Sequence, residues 1–175
     1  LTNSTSETSI LPAVAKIVLP SGYINRIGKR FLVQASGRIS TVVTTPGTLT
    51  LRFKLGPTAN IAVATSQAFA LNTTAKTNVT WLLSLILTAR AIGSSTTANL
   101  FADGWWASEA VIGSAAPSAG GIGTHQWQAS APAVGTGFDS SVANQIDLTA
   151  TWSVANASNS IQVHTFALED LSVTP

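Results

Sequence analysis

Alternation of apolar and polar residues runs through the best-patterned segments of this chain, and few folds accept it. In Thr48–Leu55, Leu49, Leu51, Phe53 and Leu55 share one side, while Thr48, Thr50, Arg52 and Lys54 share the other. A period of two marks a half-buried strand, because successive side chains leave a pleated backbone on opposite faces. In Val79–Ala91 the same period groups Trp81, Leu83, Leu85, Leu87 and Ala89 against Leu82, Ser84, Ile86, Thr88 and Arg90. Leu82, Leu83, Ile86 and Leu87 also fit helical spacing. The β-branched lead-in at Val79 and Thr80 and the Gly93-Ser94-Ser95 turn decide for a strand. Gln145–Val154 alternates again, with Ile146, Leu148, Ala150, Trp152 and Val154 on one side.

Turn chemistry divides the rest. Thr45-Pro46-Gly47 stands between Arg38–Val43 and Thr48–Leu55 and predicts a hairpin. Pro presets φ there and Gly permits a positive φ. Asp103-Gly104, a favoured two-residue turn, predicts a second hairpin joining Ala98–Ala102 to Trp105–Ile112. Ser36-Gly37 reads as the end of a strand over Arg30–Ala35, and Asn156–Asn159 as the turn of a terminal hairpin from Gln145–Val154 to Ser160–Leu168. Residues 1–10, LTNSTSETSI, are polar and unpatterned and predict a flexible N-terminal arm. Residues 11–175 then form a single domain, with a long Gly-, Ala-, Ser- and Pro-rich loop over 113–137 and a short strand near Gln126–Gln128. Roughly eight to ten strands and no helix predict an all-β fold, an antiparallel β-sandwich of jelly-roll-like type.

Composition narrows the function. The chain of 175 residues has no Cys, which removes disulfides, thiol catalysis and zinc knuckles. Charged residues are 9% of it, against about 25% for an average soluble domain. Enzymes gather ionisable groups in a cleft, and few are present, so no activity and no cofactor are expected. None of GxSxG, HExxH, GxGxxG or a phosphate-binding Lys loop occurs. The Gly cluster at Gly120, Gly121 and Gly123 lacks a following Lys and reads as loop. Two His residues, His125 and His164, do not make a metal site alone, and the acid pairs Asp103/Glu109 and Asp139/Asp147 are not singled out by spacing as catalytic. Trp81–Leu87 is the longest apolar stretch and is far shorter than the roughly 20 residues of a membrane-spanning helix. No secretory signal pattern opens the sequence, and Leu1 in place of Met leads to the expectation of a longer or processed gene product.

Two features point to contact with other molecules. Trp105 and Trp106 are neighbours, so on a strand one enters the core and the other faces outward, where it can stack on a sugar or pack on a protein. Charge is the second. Every base lies in the first 90 residues, with Glu7 the only acid there, and every other acid follows. Strands of the two halves can neutralise each other within the fold. Alternatively the basic face of one copy meets an acidic face of another, which makes Arg30, Arg52 and Lys54 interface candidates beside Trp105 and Trp106. Dispersed bases and a net charge of +2 do not suit nucleic acid, which wants a concentrated basic face.

Three stretches carry a resemblance. They are Ala35–Leu51 (ASGRISTVVTTPGTLTL), Thr80–Gly93 with its Trp81-Leu82-Leu83 and Leu87-Thr88-Ala89-Arg90, and Trp152–Glu169 with its Asn-Ala-Ser-Asn turn. Together they resemble a group of tailed-bacteriophage virion structural proteins over most of residues 22–171. That resemblance implies a non-enzymatic, jelly-roll-like protein on the virion surface, made in the bacterial host cytoplasm. It implies a capsid decoration (cement) protein that binds the major capsid protein lattice, stabilises the head and forms a dimer or trimer. A tail, baseplate or fibre component is the neighbouring alternative. A carbohydrate-binding module that uses an exposed Trp comes from a different class. The resemblance supplies no catalytic residues and no cofactor.

Overall fold

The computed structural model describes residues 1–111, 123–127 and 135–172. Its strands are β1 (Thr8–Ser9), β2 (Val18–Leu19), β3 (Arg30–Thr41), β4 (Thr48–Leu55), β5 (Ile61–Thr65), β6 (Phe69–Ala70), β7 (Lys76–Ala91), β8 (Asn99–Ser108), β9 (Gly123–Gln126), β10 (Asn144–Gln145), β11 (Asp147–Trp152) and β12 (Ser160–Asp170). One short 3-10 turn at Ala13–Ala15 is the only helical element among the described residues. The fold is all-β and antiparallel. One sheet runs β12-β3-β7-β8-β9, and the facing sheet runs β1-β11-β4-β5 with β6 also on β4. The small β10-β2 ribbon is separate. Most of the expected loop over 113–137 lies outside the described residues.

The alternation in the sequence becomes the core. β4 buries Leu49, Leu51, Phe53 and Leu55, and β7 buries Trp81, Leu83, Leu85, Leu87 and Ala89. Phe31, Val33, Ala35 and Ile39 of β3 and Leu148, Ala150 and Trp152 of β11 close on them. At about 25 cal/mol per Å² of apolar surface removed from water, this continuous cluster is the main source of stability.

Four expected turns and hairpins are corrected. β3 and β4 do not pair; Thr45-Pro46-Gly47 carries the chain from one sheet to the other. β11 and β12 are likewise in different sheets, so the terminal hairpin is absent. β11 pairs β4 with Thr149 opposite Arg52, and β12 pairs β3 with Ile161 opposite Ile39. Tertiary pairing wins over the local turns because each strand buries its apolar side only against the other sheet.

The other two corrections concern glycines that are not turns. Asp103-Gly104 sits inside the unbroken β8, where Leu85 faces Gly104 and Ile86 faces Asp103. A two-residue hairpin of this kind needs positive φ at its centre, and Gly104 is not among the positive-φ residues. A Cβ at Gly104 would overlap the Ser84 carbonyl oxygen and stand 2.7 Å from the Leu85 Cα, so Gly is needed for close strand approach. Ser36-Gly37 sits inside β3 for a similar reason. A Cβ at Gly37 would overlap the Gln162 carbonyl oxygen, to which the Trp81 indole N–H donates at 3.0 Å. The missing side chain lets that indole reach across β3 to β12, next to the irregularity between Val163 and Thr165.

The N-terminal segment is partly strand. Thr8 and Ser9 pair with Ala150 and Thr149, Thr2 bridges Ser160, and Ile10 and Leu11 are buried. This explains why Asp147 and Thr149, on the polar side of β11, are also buried. Lys16 Nζ lies 2.7 Å from Asp147, and Ser9 Oγ donates to the same carboxylate.

Candidate functional site

The two faces of the long sheet have different fates. Its inner face is core. Its outer face carries Leu82, Ile86 and Trp105 exposed at 42%, 39% and 41%, and no described element packs over them. The register makes them neighbours. Trp105 lies between Ser84 on β7 and Gln126 on β9, Ile86 lies opposite Asp103, and Leu82 lies opposite Ala107. Cross-strand partners on one face stand about 5 Å apart, so these side chains form one patch.

Beside Trp105 the patch dips into an open groove of about 440 Å³, lined by Ser84, Ile86, Asp103, Trp105, Thr124 and Gln126. The lining combines an indole face, a carboxylate, an amide and two hydroxyls. An indole presents a broad apolar plate with a polar edge, and carboxylate and amide groups fix the orientation of whatever lies on it.

The sequence placed one of the two tryptophans outside, and the outer one is Trp105. Trp106 points inward and is fully buried, with its ring 4.9 Å from Phe69 and 6.4 Å from Trp81. Trp106 is thereby removed from the candidate interface, because adjacent strand residues cannot share a face. Trp81, Trp127 and Trp152 are also core.

The three basic candidates are not brought together. Arg52 and Lys54 lie on the outer face of the other sheet and converge on Glu7, at 3.6 Å and 2.9 Å. Burial alone would raise the Glu7 pKa. Hydrogen bonds from Lys54 and Thr149, with the charges of Lys54 and Arg52, outweigh it and hold the carboxyl below its ordinary value. Arg30 is exposed at the start of β3, where Thr88 is its cross-strand neighbour. The wider charge asymmetry is largely consumed inside the fold, since Lys16 pairs Asp147, Lys29 pairs Asp170 and Lys76 approaches Glu109.

The remaining candidates have separate surroundings. Half-buried His125 on β9 faces the Phe69 ring at 5.6 Å. Asp139 accepts hydrogen bonds from the Ser95 and Ser141 backbone N–H groups and the Ser141 hydroxyl. Among the described residues no group of three or more His, Asp or Glu is placed to hold a metal ion, and no helix is long and apolar enough to cross a membrane.

Sequence reasoning passed over Leu82 and Ile86, which stand on the otherwise polar side of β7. Two large apolar side chains on a strand's outer side were the available signal. Asp103, Thr124 and Gln126 could not be assigned to the patch without the β7-β8-β9 register. Compared with protein-family models, curated proteins and solved structures, the chain matches none.

Proposed function

We propose that this chain is a non-enzymatic virion structural protein, a jelly-roll-like capsid decoration protein. It docks on the major capsid protein lattice through the outer face of the β12-β3-β7-β8-β9 sheet. The observation that carries the reading is the exposed strip of Leu82, Ile86 and Trp105 on a rigid sheet. Single exposed apolar residues are ordinary; Leu82 and Ile86 flanking Trp105 diagonally on one sheet face mark a contact surface, and Trp is among the side chains enriched at binding hot spots. The resemblance of Ala35–Leu51, Thr80–Gly93 and Trp152–Glu169 to phage virion proteins supplies the partner. A sandwich of this kind suits a particle surface because its core needs no disulfide or metal.

The groove beside Trp105 favours a second reading, glycan binding. A pyranose stacks its C–H face on an indole and offers hydroxyls to groups such as Asp103, Gln126 and Ser84.

The test is copy number, by quantitative mass spectrometry of purified particles against the major capsid protein, with Trp105→Ala protein added to undecorated heads. A simple high ratio to the capsid protein, and a loss of at least about tenfold in head affinity for Trp105→Ala, are expected. A handful of copies per particle would move the chain to the tail, baseplate or fibre. Absence from particles overturns the virion reading. Glycan binding by the isolated protein that Trp105→Ala abolishes would then support the second.

A further inference from the structure

We infer that the free edge of β12 is a pairing surface for a second copy of the same chain, joining two long sheets about a two-fold axis at Ala167. The resemblance to virion structural proteins implies a dimer or trimer, and the inference rests on that part of the proposed reading.

Among the described residues, β12 pairs within the long sheet only with β3. Its other side is covered only at the start, where Thr2 bridges Ser160 and the Leu1 amino group donates to the Ile161 carbonyl. Beyond that, no described strand lies against it. An open edge presents a row of unpaired N–H and C=O groups, and proteins usually blunt it with Pro, Lys, a bulge or a short strand. β12 is 11 residues long and contains neither Pro nor Lys. Its one irregularity lies between Val163 and Thr165, next to the end the N-terminus already covers. Thr165–Asp170 is therefore regular strand with no described strand on its other side.

The side chains suit a second copy of this same strand. Phe166 and Leu168 face inward, opposite Ala35 and Val33, yet stay only half-buried because they lie at the open rim of the core. Thr165, Ala167 and Glu169 face outward, opposite Ser36, Gln34 and Leu32. In an antiparallel pair that continues a sheet, opposed residues must point to the same face. An axis at Ala167 satisfies this. It sets Phe166 against the partner's Leu168 twice, Thr165 against the partner's Glu169, and the small Ala167 against itself. Two half-exposed apolar rims are then closed by the same contact.

Charge is complementary as well. His164 stands just before the regular stretch Thr165–Asp170, which Glu169 and Asp170 close. Antiparallel pairing brings each imidazole, a hydrogen-bond donor in either charge state, to the partner's acidic end. Neither the His164 nor the Glu169 side chain makes an ion pair or hydrogen bond among the described residues. An axis at Glu169 would oppose two like charges.

The chain has no Cys, so one introduced thiol reports its position without interference. Directly opposed strand residues have Cα atoms about 4.5–5.5 Å apart, within disulfide range. Ala167→Cys is expected to give a covalent dimer on mild oxidation. Thr165→Cys and Glu169→Cys are each expected to stay uncrosslinked alone, and to crosslink when the two variants are mixed. In sedimentation of the full chain, wild type is expected to dimerise and Ala167→Lys to raise the dimer dissociation constant at least about tenfold, since like charges would meet on the axis. Ala167 is exposed, so neither change at that position disturbs the core. A wild type that stays monomeric at about 100 μM, or a dimer that Ala167→Lys leaves intact, overturns the inference. An Ala167→Cys variant that stays monomeric on oxidation also overturns it. In these cases head binding through Trp105 is still measured on particles, so the two readings fail separately.

Discussion

Neighbouring tryptophans with opposite surroundings set the first expectations at the residue scale. Trp106 is wholly buried between Phe69 and Trp81, and Trp105 stands on the outer face. Trp106→Ala removes a large core side chain and is expected to cost about 3–5 kcal/mol. Trp105→Ala is expected to cost about 1 kcal/mol or less, because the indole is already partly in water. Urea unfolding followed by far-UV circular dichroism separates the two, and equal losses would contradict the assignment of faces. Asp170 gives a second expectation. Burial would raise its pKa, but the Ser172 N–H, Lys29, the Ser172 hydroxyl and Tyr23 outweigh it and bring the carboxyl down to about 2. An unfolded Asp titrates near 3.9, so the folded state resists protonation more than the unfolded one. The stabilisation is complete above about pH 4 and is lost as pH falls through about 2. Asp170→Asn lacks it at every pH. The gap in urea midpoint between wild type and Asp170→Asn should therefore be wide near pH 6 and narrow by about pH 2. A gap independent of pH would contradict this account.

At the scale of elements, the strands that alternate most cleanly were legible in the sequence. Thr48–Leu55 coincides with β4, and Val79–Ala91 falls inside β7. Burial against a facing sheet imposes the period directly, so pattern and structure agree there. Connections were less legible. Asp103-Gly104 carries the residues of a tight hairpin, yet Gly104 serves the close approach of β8 to Ser84 and Leu85. Gly37 gives way to the Trp81 indole. A glycine needed for space and one needed for positive φ look the same in a sequence. The candidate site divides in the same way. That one of Trp105 and Trp106 faces outward was visible from their adjacency alone, whereas which one, and its association with Gln126 and Asp103, depends on register between strands. The burial of Asp147 and Thr149 was not visible, because the N-terminal strand that covers them gives no alternating signal.

Across the whole molecule, the two sheets interleave the ends of the chain. The long sheet takes β3, β7, β8 and β9 and adds β12 at its edge; the facing sheet pairs β4 with β11 and β11 with β1. Every sheet neighbour of β11 and β12 comes from the first 55 residues, so these pairings close long stretches of chain at an entropic cost. Folding of such topologies takes milliseconds to seconds. Refolding from urea, followed by tryptophan fluorescence in stopped flow, is expected in that range, and a sub-millisecond phase carrying the full amplitude would contradict it. Both sheets also wait for the same late segment. β4 presents Leu49, Leu51 and Phe53 before β11 exists to pair with it, and β3 has no β12 until Asp170 has been made. A nascent chain can therefore pair β3 with β7 and β4 with β5, but each sheet keeps an open edge until residues 147–170 have been made. Such half-built sheets expose apolar side chains and strand edges, so the chain is most prone to aggregate before β11 and β12 join it.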